Sequence, residues 1–288
     1  MSQILPDRRS ALRNLGAGVV GASLASSLAL GDAPKSKGNL KQSICRWCYS
    51  RISLEKLCEI AKGIGYQSIE LLSPDEAKKV KAAGLTCALM GGADIGNGLN
   101  RKEYHDGIVK KLTGLIDFAA EENLPAVICM SGNRKGLDDE AGLKICLVGL
   151  KRVIGHAEKK KVNLVMEGLN SKVDHKDYMC DHAAWGVETV RRVNSPRIKL
   201  LYDIYHMQIM DGDIVRTIRA NIQWLGHFHT GGNPGRKEID DTQELNYNFV
   251  AKAIADLGYQ GWVSHEYSPK AGNDAVKSLE QAIAIMTV

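Results

Sequence analysis

The sequence has little that would suit a membrane or a nucleic acid. Its N-terminal apolar run, Leu15 to Leu30, is about 16 residues rich in Gly, Ala and Ser, short of the roughly 20 that a helical span needs. No block of like charge stands out. The net charge of +5 comes from Lys and Arg interspersed with Asp and Glu, and the one dense basic run, "EKKKV" at 158–162, reads as the exposed last turn of a helix. A nucleic-acid-binding face is therefore not expected. No linker or shift of composition interrupts the chain after residue 40, so 40–288 read as one domain. The glycines of "GHFHTGGNPGR" (226–236) do not form a phosphate cradle either, since no G-K-[ST] or G-x-G-x-x-G follows a strand there.

Cysteine is present in an odd number, seven, which fits poorly with a fully disulfide-bonded exported protein. Five of the seven lie in apolar contexts and read as small buried hydrophobes. "CRWC" at 45–48 matches a C-x-x-C pair, but it falls in an expected strand, where residues three apart point to opposite faces. Residues 1–33 stand apart from this. Arg8 and Arg9, the weakly apolar run and the small residues after it are similar to a twin-arginine export signal, which predicts a periplasmic protein with no membrane span in its mature form. A cytoplasmic N-terminal helix is the alternative.

Beyond residue 40, short apolar runs alternate with longer amphipathic ones. Strands are expected over 41–49, 67–72, 85–90, 125–130, 162–167, 198–203, 224–229 and 262–267. Helices are expected over 53–64, 75–83, 101–122, 138–160, 182–193, 211–221, 246–257 and 272–286, several closed by glycine, as in "KGIGY" and "ADLGY". Eight strands, each followed by a helix, predict an α/β fold of the (β/α)8 TIM-barrel type, with its chemistry at the C-terminal strand ends.

Four late strands end in polar residues: "NLVMEG" in Glu167, "IKLLYD" in Asp203, "LGHFH" in His229 and "WVSHE" in Glu266. Their separations of 36, 26 and 37 residues are each one βα unit, so all four side chains reach the same rim. Three converging carboxylates would repel one another and raise each other's pKa. A divalent cation removes that conflict, and three oxygens with one imidazole suit Mn²⁺, Mg²⁺, Co²⁺ or Zn²⁺. His206, three residues past Asp203, and Arg236, on the turn after His229, read as substrate handles, the arginine fork being suited to a carboxylate. His227 is expected to pack or hydrogen-bond one layer below His229.

At these residues the sequence resembles the xylose-isomerase-like barrel superfamily, and within it the hydroxypyruvate isomerases. The resemblance covers about residues 40–288 and rests on "MEGLNS" (166–171), "YDIYHMQ" (202–208), "NPGR" (233–236), "ELNY" (244–247) and "LGYQGWVSHEY" (257–267). It implies a metal held by Glu167, Asp203, His229 and Glu266, with the two glutamates also acting as the acid–base pair. It implies isomerisation of a small hydroxy-ketone or sugar through an enediolate, with hydroxypyruvate to 2-hydroxy-3-oxopropanoate (tartronate semialdehyde) as first expectation, in a homo-oligomer. One departure bears on the substrate. The third ligand position of the hydroxypyruvate isomerases resembles a glutamine, whereas "HFHTGGNPGR" has a histidine, as in ketose 3-epimerases such as D-tagatose 3-epimerase. Ketose 3-epimerisation is thus the alternative reaction. An exported carbohydrate-binding protein without catalysis, and a nuclease related to the apurinic endonucleases of the same superfamily, are the alternatives outside the isomerases.

Overall fold

The computed structural model describes residues 40–288, and the segment 1–33 lies outside the described residues. Seven parallel strands line up: β1 (Lys41–Cys45), β2 (Ser68–Glu70), β3 (Ala126–Cys129), β4 (Asn163–Glu167), β5 (Ile198–Asp203), β6 (Leu225–Thr230) and β7 (Trp262–His265). Their order is β2-β1-β7-β6-β5-β4-β3, which leaves β2 and β3 as the two edges. The strand expected over 85–90 is not regular, yet it joins those edges. On one side Ile69 N–H donates to Thr86 O (3.1 Å) and Leu71 N–H to Leu89 O (2.8 Å). On the other, Met90 N–H donates to Ala126 O (2.9 Å) and Ile128 N–H to Met90 O (3.1 Å). Between them the Ser68 hydroxyl accepts the Ala88 N–H (2.9 Å), diverting one donor from the backbone ladder. At Ala88 that side-chain bond takes the place of a ladder bond. The ring still closes with eight positions, as the (β/α)8 pattern predicts.

Ten α-helices surround the ring among the described residues: α1 (Leu54–Ile64), α2 (Pro74–Ala82), α3 (His105–Glu122), α4 (Asp139–Lys151), α5 (Ile154–Lys160), α6 (Ala183–Val193), α7 (Ile204–Met210), α8 (Ile214–Asn221), α9 (Tyr247–Asp256) and α10 (Ala275–Met286). Local chemistry sets their ends. Ser73 and Glu76 form a capping box with Pro74 in the first turn of α2, and Gly65, at φ 108°, closes α1 in the left-handed region. Three expectations need correction. The helical pattern 138–160 breaks at Arg152–Val153 into α4 and α5. The pattern expected from 211 is preceded by α7, which starts directly on β5 because Asp203 Oδ1 accepts the His206 N–H (3.1 Å) as its N-cap. The strand expected over 41–49 stops at Cys45, and Arg46–Tyr49 form a 3-10 turn in which Arg46 Nη1 donates to Tyr49 O (2.8 Å). Cys45 and Cys48 therefore do not alternate across a strand. Cys45 is buried, Cys48 is half-buried, and all seven cysteines are free thiols.

Most of the core is aliphatic, but the barrel interior turns polar towards the C-terminal strand ends. Ser43, Ser68, Glu70, Asp203, His229 and Ser264 are each fully buried there. Parallel register aligns Asp203 with His229 and His229 with Ser264, which is how neighbouring strands deliver their donors at one height.

Candidate metal and catalytic centre

The four strand-end residues meet as the spacing predicts. One donor atom each from Glu167, Asp203, His229 and Glu266 fits within a 4.8 Å group, and all four residues are buried. His229 Nδ1 is the hub, 2.8 Å from Glu266 Oε2, 3.1 Å from Glu167 Oε1 and 4.0 Å from Asp203 Oδ2. Glu167 and Asp203 end β4 and β5, His229 is the penultimate residue of β6, and Glu266 sits one residue beyond β7.

Asp203 uses its two oxygens differently. Oδ1 caps α7, whereas Oδ2 is buried without a hydrogen-bond partner and faces the other donors. An unpartnered carboxylate oxygen beside two more carboxylates and an imidazole is the donor set a hard or borderline divalent cation takes, so the residues present fit such an ion.

Among the protein groups alone, burial raises the affinity of Glu167 for its proton, and the neighbouring Glu266 charge adds to this. Burial likewise pushes Asp203 up to about 8, against the pull of Arg236. Glu266 goes the other way. Burial would raise it, but Arg236 and His229 hold it well below the usual carboxylate range. For His229 burial opposes the charged ring, yet Glu266 and Cys45 outweigh it and hold the ring well above the usual histidine value.

Arg236 reaches the site as expected, but it is held rather than free. Its Nη2 lies 2.6 Å from Glu266 Oε2 and 3.5 Å from Asp203 Oδ2, and its guanidinium sits between the rings of Trp47 (5.2 Å) and Tyr205 (5.4 Å). The turn that carries it depends on Gly232, where a Cβ would stand 2.1 Å from Glu238 O. Arg236 Nε is buried without a hydrogen-bond partner.

His206 is fully buried, and burial together with Arg236 holds its ring well below the usual histidine value, hence neutral. Its Nδ1 faces Asn170 Nδ2 at 2.6 Å. Asn170 Oδ1 accepts the Val173 and Asp174 N–H groups, so the amide nitrogen is the end turned to the ring, and His206 carries its proton on Nε2. That Nε2–H is unpartnered, 3.6 Å from Asp203 Oδ2.

Above the donors opens a pocket of about 350 Å³, walled by Trp47, Leu71, Gly91, Gly92, Ala93, Ile95, Ile128, Met130, Leu169 and His175, with Glu167, Arg236 and Glu266 at its floor. Three contributors were not picked out in the sequence. Trp47 Nε1 donates to Glu266 Oε1 (2.7 Å), and Asn170 orients His206. Glu70 accepts from His227 Nε2 (3.0 Å) and His229 Nε2 (2.9 Å), which places His227 one layer below the donors as expected. Glu70 ends β2, but the sequence places it inside the expected strand 67–72 rather than at its end.

Residues 58–287 match the family model of the xylose isomerase-like TIM barrel. The chain belongs to this family. Among curated relatives, a putative hydroxypyruvate isomerase of Homo sapiens is 25% identical over 251 residues, 81% of this chain and 90% of that protein. A 2-oxo-tetronate isomerase of Cupriavidus necator is 33% identical over 119 residues, 41% of this chain and 45% of that protein. Other relatives also align over about half their length, 46% for the putative hydroxypyruvate isomerase of Danio rerio. In fold the chain is similar to D-psicose 3-epimerase from Clostridium cellulolyticum H10 crystallised with D-tagatose, with a TM-score of 0.71 at 20% identity over 86% of this chain and 97% of that one.

Proposed function

We propose that this protein is a divalent-metal-dependent isomerase of small hydroxy-ketones, with 2-oxo acids that carry an adjacent hydroxyl, such as hydroxypyruvate, as first substrates. One observation carries the reading. Glu167 and Glu266 approach the same His229 nitrogen from two strands, at 3.1 and 2.8 Å, on the floor of a pocket that also receives Arg236. Glu167, Asp203, His229 and Glu266 would hold the ion, which when bound would polarise the substrate carbonyl and acidify the neighbouring C–H. One glutamate would take the proton from the hydroxyl-bearing carbon and the other would return a proton to the former carbonyl carbon. The Nε2–H of His206 would stabilise charge developing on a substrate oxygen, and the guanidinium of Arg236, which lines the pocket, would take a carboxylate. The names of the human and Cupriavidus necator relatives, both isomerases of 2-oxo acids, support this substrate class.

Ketose 3-epimerisation is the second reading, favoured by histidine at residue 229. The same glutamates would return the proton to the carbon it left, on the opposite face. A nuclease reading finds less support, because every metal-capable group among the described residues shares His229, which amounts to one centre rather than several.

The test is a metal analysis followed by a screen of hydroxypyruvate and three- to six-carbon ketoses for isomer formation in deuterated water. Deuterium incorporation at carbon is expected for either reaction, and its absence with every substrate would leave a binding protein instead. Glu266→Gln should lower kcat by roughly 10²–10⁴-fold with an unchanged circular dichroism spectrum. Full activity in that variant would sink the acid–base assignment.

A further inference from the structure

Glu70 lies beneath the donor cluster, fully buried, in a barrel interior where a lone carboxylate would be costly. Its Oε1 sits 2.9 Å from His229 Nε2 and 3.0 Å from His227 Nε2. An ionised carboxylate only accepts, so both ring nitrogens are N–H donors to it. His229 therefore keeps a proton on Nε2, and when an ion displaces the proton that Nδ1 shares with Glu266, Nδ1 is the nitrogen left with a lone pair to offer. Nδ1 is the atom that faces Glu167, Asp203 and Glu266.

Glu70 is the nearer partner of Nε2, and the Cys45 thiol also donates to its Oε1 (3.7 Å). Cys45 Sγ, the remaining polar atom near Nε2, is 3.9 Å away and bonds to Ser264 Oγ at 3.4 Å. His227 fixes the acceptor in turn, donating to the same Oε1 and packing edge-on against His229 at 5.2 Å between ring centres.

We infer that Glu70, steadied by His227, is the positioning residue that presents His229 to the divalent ion through Nδ1. The inference rests on the metal reading above. Glu70 touches neither ion nor substrate and acts through the tautomer and orientation of one imidazole. A carboxylate behind a ligating histidine also raises the basicity of the ring, and removing such a partner typically weakens metal binding by about 10- to 100-fold.

The experiment uses the full chain loaded with Zn²⁺. Long-range proton–nitrogen spectra of histidine-labelled wild-type protein should show one ring, His229, with metal-shifted Nδ1 and a slowly exchanging Nε2–H. Chelator competition should then give a dissociation constant about 10- to 100-fold weaker in Glu70→Ala. Glu70→Gln should give a smaller loss, since its amide oxygen still accepts. Zinc bound through His229 Nε2, or equal affinity in folded Glu70→Ala and Glu70→Gln, would overturn the inference. So would two zinc ions per chain with one lost in Glu70→Ala, which would make Glu70 a ligand itself. If the variants do not fold, the wild-type spectrum decides alone. Absence of zinc binding by the wild type would instead remove the metal reading from which the inference starts.

Discussion

Asn170 settles which way the hydrogen bonds run around His206. Because its oxygen is occupied by two backbone N–H groups, its amide must donate to His206 Nδ1, and His206 must donate from Nε2. In Asn170→Ala the ring is free to take the other tautomer, which would point a lone pair at Asp203. A buried polar group left unpaired costs roughly 1–3 kcal/mol, so kcat/KM should fall about tenfold or more while zinc content stays at the wild-type level. An unchanged kcat/KM would show that His206 keeps its proton without Asn170. At this scale the sequence exposed what a barrel strand would not choose for packing: Glu167, Asp203, His229 and Glu266 stand out because they end apolar runs one βα unit apart. Asn170 and Trp47 were not legible. Asn170 lies in a loop and Trp47 in the 3-10 turn after β1, and each has its partner far away in sequence, at His206 and Glu266 respectively. Glu70 was hidden differently, inside an apolar stretch read as a strand over 67–72 whose true end is the carboxylate itself.

Elements were legible where local chemistry defines them. Ser73-Pro74 and Gly65 mark helix ends whatever the tertiary context, and the observed ends follow. The errors fall where a side chain far from the pattern intervenes. Asp203 starts α7 from a strand end, and Ser68 takes a donor from the segment 85–90. The Ser68 hydroxyl makes two bonds, accepting from Ala88 N–H (2.9 Å) and meeting Ser43 Oγ (2.9 Å). Ser68→Ala therefore strands a buried N–H at the join of the barrel. We expect a loss of about 1–3 kcal/mol in chemical denaturation, well above the few tenths typical of a surface serine. A change within 0.5 kcal/mol of zero, roughly the surface range, would mean that the join finds another acceptor.

For the molecule as a whole, the donor cluster couples folding to pH. Asp203 is raised to about 8, against about 3.9 in an unfolded chain, and His229 is raised above its ordinary value as well. Both contributions are fully present at low pH and are lost as pH rises through the folded-state values. Metal-free protein prepared with a chelator should therefore lose melting temperature from pH 6 to pH 9. Zinc-loaded protein should not, since a bound cation displaces the protons and holds the carboxylates ionised. A chelated sample with a flat profile would contradict the charge balance described above. The irregular join at 86–90 has one further consequence. It interrupts the ring between β2 and β3, whereas Glu167, Asp203, His229 and Glu266 come from the continuously paired arc of β4, β5, β6 and β7. Leu71, Gly91, Gly92, Ala93 and Ile95 wall the pocket from the irregular side. The barrel thus divides its labour: the regular arc holds the buried donors at one height, and the opposite arc is where substitutions can reshape the pocket wall without disturbing them.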